Sequence, residues 1–196
     1  MIGPGGFRIG VSVEFDWASV SFAMAARNMG YEVSMINYNP ETVSTDWDIS
    51  DKLYFEEISV EKILDISEKE GFDYIVVSVG GQIANNIARR LEERGLRIAG
   101  TSGWSIDIAE DRAKFSSLLD TLGIDQPEWG RAISIEDSLR IARAIGYPVI
   151  VRPSYVLSGT SMAIAYNDEE LISYLKRAAI ISREHSVTIS KFIEKG

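Results

Sequence analysis

Cysteine is absent from the 196-residue sequence, and histidine occurs once, as His185. A disulfide framework, a thiol nucleophile and a thiolate metal site are therefore excluded, and a histidine-ligated zinc site is not expected. The sequence also lacks any run of about 18 apolar residues and any basic stretch followed by a short apolar one at its start. It therefore predicts neither a membrane span nor a secretion signal, and we expect a cytoplasmic protein.

Positive charge is scarce, because 20 lysines and arginines stand against 29 aspartates and glutamates, which gives a formal net charge of -9. Such a charge opposes long-range attraction to phosphate backbones and to anionic lipid, so neither nucleic acid nor a membrane surface is an expected partner. A small anion such as ATP remains compatible with this composition. Local arginines, backbone N–H groups and Mg²⁺ can bind phosphate inside an acidic protein.

The sequence does contain 45% hydrophobic and 25% charged residues, which is typical of a soluble globular protein with one domain or two small ones. Short β-rich runs alternate with helical stretches, and this pattern predicts an α/β fold with a mostly parallel sheet. In the first part, the predicted strands are 32–37, 74–79 and 96–99, and the predicted helices are 18–29, 60–70 and 83–94.

The second part begins after a boundary near residue 104. Its predicted helices are 111–122, 135–145 and 171–179, and its predicted strands are 149–152 and 187–192, with 126–129 as a connector. The first of these helices has an apolar stripe on one face and charge on the other; the stripe consists of Phe115, Leu118, Leu119 and Leu122. Asp168 is the expected cap of the helix 171–179.

Two loops have the composition of anion-binding segments. The glycine-rich segment 3–10 lies where a strand leads into a helix, so its backbone donors can receive an anion, although a tight turn without a ligand has the same sequence pattern. A dinucleotide fingerprint is not expected there, because Arg8 occupies the place of the third glycine. The segment 154–162, small and hydroxyl-rich around Gly159, can fold over phosphates or form a plain hairpin.

Two arginines are candidate phosphate ligands. Arg152 directly follows an apolar strand, at the carboxyl end where α/β proteins place ligands, and its planar fork suits bidentate phosphate binding. A surface ion pair is the alternative. Arg112 and Asp111 begin a predicted helix, where charged residues are common without any ligand. Glu110 and Asp111 form a carboxylate pair, but nothing near them in the sequence completes an acid/base site.

Several stretches together resemble one family, in the family's order and over essentially all of the chain. They are Gly-Phe-Arg-Ile-Gly at 6–10, Val-Glu-Phe-Asp-Trp at 13–17, Asn-Pro-Glu-Thr-Val-Ser-Thr-Asp at 39–46, Asp-Lys-Leu-Tyr-Phe at 51–55, Gly-Gly-Gln at 80–82, Ala-Glu-Asp-Arg at 109–112 and Val-Arg-Pro-Ser-Tyr-Val-Leu-Ser-Gly at 151–159. The sequence resembles the large chain of carbamoyl-phosphate synthase. The form of 39–46 is similar to the second half of that chain, which phosphorylates carbamate.

The resemblance implies an α/β architecture in two parts. Residues 1–104 are expected to form a Rossmann-like pre-ATP-grasp domain with a parallel sheet, of whose first strand only Met1-Ile2 remain. Residues 105–196 are expected to form the first α+β subdomain of an ATP-grasp fold. The family's magnesium-binding Glu and Asn belong to the next subdomain, so Mg²⁺ or Mn²⁺ is an expected cofactor of the complete enzyme and no metal ligand is assigned in this chain.

The resemblance also implies site residues. It implies that Arg112 and Arg152 contact ATP, and that Arg152 is the catalytic residue and contacts the phosphate oxygens. Ser158 and Gly159 fall in the loop that closes over the phosphates. Lys191 and Ile193 match the adenine-binding hinge, where contact through main-chain groups is expected. The Gly-Gly-Gln motif at 80–82 is assigned a structural role.

The implied function is that of an ATP-dependent carbon–nitrogen ligase, which binds ATP to phosphorylate carbamate in arginine and pyrimidine biosynthesis. The expected partners are the remainder of the large chain and a glutaminase small chain or domain. Alternatives are a non-catalytic nucleotide-binding or docking fragment and another ATP-grasp ligase. The isolated chain is expected to be inactive and, because its first strand is short, to self-associate.

Overall fold

A computed structural model describes residues 1–7, 12–153, 162–181 and 186–194 of the chain. The chain divides into two compact units, Met1–Asp107 and Ile108–Gly196, where the sequence predicts domains 1–104 and 105–196. No helix in the described part of the chain is both long and apolar enough to cross a membrane.

The first unit alternates helices with short parallel strands. Its elements are α1 (Val13–Asn28), β1 (Ser34–Ile36), a 3₁₀ turn (Val43–Thr45), β2 (Lys52–Tyr54), α2 (Val60–Glu70), β3 (Ile75–Val76), α3 (Gly81–Glu93), β4 (Ile98–Ala99) and α4 (Gly103–Glu110). Strands β1 and β2 pair in parallel, and so do β3 and β4. The predicted parallel α/β arrangement is therefore present.

The segment Met1–Gly3 lies between β1 and β3 and hydrogen-bonds to both of them. Ile36 N donates to Met1 O at 3.0 Å, Gly3 N donates to Ile36 O at 2.9 Å, and Ile2 N donates to Val76 O at 3.0 Å. Ile2 is 1% exposed and forms a parallel bridge with Ile36. The strand edge that was expected to be unpaired is therefore filled at these positions, because even a few residues supply the missing donors and acceptors.

Two of the glycine positions are required by close backbone approach. A Cβ on Gly80 would lie 2.4 Å from the carbonyl oxygen of Ile2, and a Cβ on Gly3 would lie 2.9 Å from the side chain of Asn37. Both contacts are shorter than carbon atoms tolerate, so a larger residue would push the central segment away from its neighbours. The glycine-rich start and the Gly-Gly-Gln motif thus have a packing role in this unit.

The second unit is a four-stranded antiparallel sheet with helices. Its elements are α5 (Arg112–Leu122), β5 (Trp129–Ala132), α6 (Ile135–Ile145), β6 (Val149–Pro153), β7 (Ala163–Ala165), α7 (Asp168–Ile181) and β8 (Val187–Lys191). The strand order is β5-β8-β6-β7. The core of this unit lies on the face of the sheet that α6 and α7 cover; its most buried members are Ala142, Val149, Val151, Leu171 and Ile189.

Three predictions about local structure are wrong. Strand β5 begins inside the predicted connector, because its short Trp-Gly-Arg-Ala sequence is stabilised by pairing with β8 and not by its own pattern. Helix α1 begins at Val13, five residues before the predicted start. Asp168 lies inside α7, and the cap is Asn167, whose side-chain oxygen accepts from Glu170 N at 2.9 Å.

The apolar stripe of α5 faces outward. Phe115, Leu118 and Leu122 are 44%, 38% and 61% exposed, whereas the residues that α5 buries are the small Ala113 and Ser116. The predicted helix is present, but the face that it buries is the one with small side chains, which allow close approach of the helix backbone.

Candidate functional site

Arg152 lies near the carboxyl end of β6, with its guanidinium partly buried. One terminal nitrogen, Nη2, donates to the hydroxyl of Ser190 on β8 at 3.1 Å. The Nε atom is buried and has no hydrogen-bond partner. Among the described residues, no carboxylate forms an ion pair with Arg152. The predicted alternative of a surface ion pair therefore finds no support in this part of the chain.

Arg112 is the first residue of α5 and reaches the same end of β6. Its Nη1 donates to the carbonyl oxygen of Pro153 at 2.7 Å. The two guanidiniums are close enough to interact electrostatically, and burial together with repulsion by Arg112 lowers the pKa of Arg152 below its ordinary value. Arginine nonetheless remains charged at neutral pH, so the site holds two positive charges. An anion between them would relieve this repulsion.

Asp111 has a structural function at this helix start. It is 3% exposed and its Oδ1 accepts from Ala113 N at 2.8 Å and from Lys114 N at 3.1 Å. A carboxylate that accepts two N–H groups at a helix start is a helix cap, which stabilises the helix. Because Oδ1 of this buried carboxylate accepts both N–H groups, the role that the structure shows for Asp111 is the helix cap, and not the acid/base role considered for the Glu110–Asp111 pair.

Strand β8 borders the site on the side away from β7. Arg152 is paired with Thr188, and Ile150 with Ser190, so these four side chains share one face of the sheet. Helix α5 contacts the same face, because Trp129, paired with Ser190, donates from Nε1 to Asp120 of α5 at 3.0 Å. Thr188 and Ser190 were not predicted as site residues. The signal that would have found them is their spacing of two on a strand, which places both hydroxyls on the face opposite Ile189.

Lys191 points to the other face of the sheet, the one that α6 and α7 cover. It is paired with Val149, and its Nζ donates to the carbonyl oxygens of Gly146 and Tyr147, at 2.9 Å each. Its backbone N–H donates to Glu128 O at 2.8 Å. The structure therefore does not bring the Lys191 side chain together with the two arginines. The side chain holds the turn that leads into β6.

Ile193 follows the end of β8 and is 60% exposed. No hydrogen bond of its main chain is present among the described residues. Ser158 and Gly159 lie outside the described residues. The strands on either side of that segment, β6 and β7, pair antiparallel with Val151 opposite Ala163, so the chain does reverse direction there, as predicted.

The first unit has a buried polar network around Asn37, which is 0% exposed. Its Oδ1 accepts from Gly5 N at 3.0 Å and from Tyr38 N at 2.9 Å, and its Nδ2 donates to Thr42 Oγ1 at 3.2 Å and to Ser44 Oγ at 3.0 Å. The family motif at 39–46 is thus bonded to the glycine-rich start through one amide. This network accounts for the motif structurally, without a ligand.

Within the part of the chain that the structure describes, no group of three or more histidine, aspartate or glutamate side chains is placed to hold a metal ion. The candidate ligand site of the second unit is the pair of Arg112 and Arg152. Such an arginine pair can bind an oxyanion, since a guanidinium donates hydrogen bonds and accepts none.

The family profiles match the two units in order. Residues 1–108 match the carbamoyl phosphate synthase preATP-grasp domain, and residues 111–196 match the ATP binding domain of the carbamoyl-phosphate synthase L chain. The carbamoyl phosphate synthase large chain of Sulfolobus acidocaldarius is 61% identical over 194 residues, which is 99% of this chain and 18% of the relative. That of Pyrococcus furiosus is 60% identical over 193 residues, or 98% of this chain and 18% of the relative. The chain thus spans 18% of the length of these curated relatives.

Solved structures with the same fold include the biotin carboxylase domain of Hydrogenobacter thermophilus 2-oxoglutarate carboxylase, with a TM-score of 0.71 and 23% identity over 98% of this chain and 44% of that one. N5-carboxyaminoimidazole ribonucleotide synthetase from Thermus thermophilus gives a TM-score of 0.65 and 19% identity over 98% of this chain and 47% of that one. At such identities the likeness shows the fold alone, a pre-ATP-grasp domain followed by the first subdomain of an ATP-grasp fold. With its two units matching consecutive domains of one protein, the chain belongs to the carbamoyl phosphate synthase large-chain family.

Proposed function

We propose that the chain contributes to ATP binding for the phosphorylation of carbamate to carbamoyl phosphate, as part of an ATP-dependent carbon–nitrogen ligase. The observation that carries this proposal is the pair of Arg112 and Arg152 at the carboxyl end of β6. Two adjacent guanidiniums inside a protein of net charge -9 form a local site for an anion. The match of residues 111–196 to an ATP binding domain supports ATP as that anion.

In this proposal, Arg152 is the catalytic residue, because its guanidinium contacts the phosphate oxygens and offsets charge that develops during phosphoryl transfer. Ser190 holds the guanidinium through Nη2. Arg112 adds a second positive charge from the start of α5. Ser158 and Gly159 belong to the segment that closes over the phosphates and excludes water from an unstable intermediate.

We assign the adenine ring to the end of β8. Ile193 contributes main-chain groups, which have no partner among the described residues. Lys191 also contributes through its main chain, because its side chain is bonded to Gly146 and Tyr147. Main-chain recognition of this kind places little demand on side-chain identity at these positions.

Mg²⁺, or Mn²⁺ in its place, is the proposed metal partner of ATP in the complete enzyme. The biotin carboxylase domain from Hydrogenobacter thermophilus is itself described in complex with the magnesium salt of ADP. The described residues of this chain do not provide a cluster of acidic side chains that fits such an ion, and we assign none of them as ligands.

The proposed partners are the remainder of the synthase large chain and a glutaminase small chain or domain, in a cytoplasmic enzyme of arginine and pyrimidine biosynthesis.

We also propose that the chain on its own self-associates. The supporting observation is its exposed apolar surface, which includes Trp17 at 73% exposure and Trp47 at 90%. Light scattering over a concentration series tests this, and a protein that stays monomeric throughout would contradict it.

Calorimetric titration of ATP into the chain tests the proposed ATP site. We expect saturable binding that is lost in the double variant Arg112→Ala/Arg152→Ala and retained in the control Arg140→Ala, which removes an exposed arginine of α6 that pairs with Asp137. The control changes net charge by one and leaves the site intact. Binding of equal strength by the wild type and the double variant would overturn the assignment of ATP to this pair.

A further inference from the structure

Two buried polar atoms without hydrogen-bond partners lie on directly opposed residues of β6 and β8. They are Nε of Arg152 and Oγ1 of Thr188. The two residues are register partners, so their side chains share a face, and the Cβ atoms of such a pair are about 5 Å apart. Thr188 as a whole is 0% exposed. Nearly all buried polar groups in proteins are hydrogen-bonded, so two neighbouring buried atoms without partners indicate a common function.

The surroundings of these two atoms are rich in positive charge. Thr188 is paired on its other side with Arg131 of β5, whose Nε donates to Ser186 Oγ at 2.9 Å. Arg112 reaches Pro153, one residue beyond Arg152. Among the described residues, neither Arg131 nor Arg152 forms an ion pair with a carboxylate. A ligand in this place therefore meets donors and cations on the strands to both sides of Thr188.

The chemistry of the two atoms defines what they can bind. The Nε atom of arginine only donates, and a threonine hydroxyl can donate its proton to any acceptor. The complementary ligand is an oxygen-rich anion, and a phosphate group meets that need with several acceptor oxygens. Ser190 restricts the guanidinium by accepting from Nη2, and the N–H of Nε is not used in that hydrogen bond.

We propose that Thr188 is a phosphate-binding residue, whose hydroxyl and the Nε of Arg152 together bind one phosphate group, and that Ser190 is the positioning residue that orients Arg152 for this contact. The identification of that phosphate as part of ATP rests on the proposed function. The phosphate site itself rests on the two unpartnered atoms and on the register of β6 and β8.

This arrangement has a distinctive consequence for stability. An unpartnered buried hydroxyl destabilises the free protein, because it loses its hydrogen bonds to water without replacement. Thr188→Val keeps the shape of the side chain and removes the hydroxyl, so it raises the melting temperature of the free protein while weakening phosphate binding. Opposite changes in stability and affinity distinguish a ligand contact from a packing residue, for which both properties fall together.

The test measures the melting temperature and the binding of ATP, inorganic pyrophosphate and adenosine for the wild type, Thr188→Val, Thr188→Ser and Ser190→Ala. The matched control is Ser138→Ala, which removes a buried hydroxyl that has a partner, the carbonyl oxygen of Ser134 at 2.8 Å. We expect Thr188→Val to weaken ATP and pyrophosphate roughly tenfold. Adenosine binding should not change, and Thr188→Ser should restore the affinity. Ser190→Ala should weaken the two phosphate ligands without a gain in melting temperature.

The possible outcomes separate the two proposals. If the wild type binds ATP and Thr188→Val binds it equally well, the phosphate role of Thr188 is wrong and the proposed function stands. A second outcome is that pyrophosphate binds the wild type and that Thr188→Val weakens this binding. If in that case ATP binds no more tightly than pyrophosphate and adenosine does not bind, the phosphate site stands and the nucleotide assignment fails. If neither ATP nor pyrophosphate binds the wild type, both proposals are wrong.

Discussion

Arg152 is expected to contribute more to ATP affinity than Arg112. Its guanidinium is partly buried and is held by Ser190, whereas one terminal nitrogen of Arg112 is already bonded to Pro153. A charge-assisted contact is worth roughly 1.5–3 kcal/mol, so Arg152→Ala should weaken ATP about tenfold or more, and Arg112→Ala should weaken it less. Arg152→Lys should recover part of the loss, because an ammonium keeps the charge without the planar fork. Calorimetric titration of the three variants measures these effects.

The outcome that contradicts this ranking is a larger loss for Arg112→Ala than for Arg152→Ala. Circular dichroism of each variant shows whether the fold is retained, since Arg112 also ties the start of α5 to the end of β6. A variant that has lost secondary structure would be replaced by the corresponding glutamine, which keeps more of the side-chain volume.

Asn37 is expected to be the most sensitive polar residue of the first unit. Asn37→Ala leaves the N–H of Gly5 and the hydroxyls of Thr42 and Ser44 without their partner in a buried place. Removing one partner of several buried hydrogen bonds should lower the free energy of unfolding by roughly 2–4 kcal/mol. Urea denaturation measures the change. The control is Asn28→Ala at the exposed end of α1, which should stay within about 0.5 kcal/mol of the wild type.

Side chains of β8 point to both faces of its sheet. A substitution of Lys191 tests whether the face that carries Lys191 is separate from the proposed ATP site. Lys191→Met removes the ammonium that bonds to Gly146 and Tyr147 but keeps the length of the side chain. We expect the free energy of unfolding to fall by about 1–2 kcal/mol while the affinity for ATP is unchanged. Lys176→Met, on the exposed side of α7, is the control and should alter neither property. A loss of ATP affinity without a loss of stability would mean that the Lys191 side chain contacts the nucleotide.

The helix α5 shows how one element connects structure to the proposed site. Asp111 caps its first turn, and Asp120 near its end accepts from the indole of Trp129 on β5, which fixes that end of the helix to the sheet. Arg112 is thereby held beside Pro153.

At the scale of the whole molecule, one strongly perturbed group outside the site is the terminal amine. In a protein that begins at Met1, this amine donates to Ser34 O at 2.5 Å, and its burial lowers its pKa to about 5 from an ordinary value of 8.0. Between pH 5 and pH 8 the unfolded chain therefore binds a proton at this amine that the folded chain does not, so the contribution of the amine to stability rises with pH across this window and is constant on either side of it. The full change is roughly 4 kcal/mol at 1.36 kcal/mol per pKa unit.

Urea denaturation at pH 5.5 and at pH 8 measures this dependence, with an Nα-acetylated protein as the matched control. Acetylation removes the titrating group and should abolish most of the difference between the two pH values. Identical pH profiles for the two proteins would show that the amine is not buried in the folded state, and that Met1–Gly3 do not occupy the position between β1 and β3.

The sequence by itself determined the family and part of the local structure. Helices α2 and α6 begin and end where their apolar spacing and their glycine stops predict, because capping and helical periodicity depend on neighbours within one or two turns. The placement of Arg152 at the end of an apolar strand was also readable, as was the reversal of the chain after it. The resemblance to the carbamoyl-phosphate synthase large chain followed from motifs that lie in order along the sequence.

Only the tertiary structure decided which side chains meet. Strand β5 forms through its pairing with β8, and the register of β6 with β8 places Thr188 and Ser190 beside Arg152 while turning Lys191 to the opposite face. Arg152 and Ser190 are 38 positions apart in the chain, so no local pattern specifies their hydrogen bond. A shift of one residue in that register would exchange the two faces of β8. The composition of the proposed site is therefore fixed by strand pairing, which short-range sequence patterns do not encode.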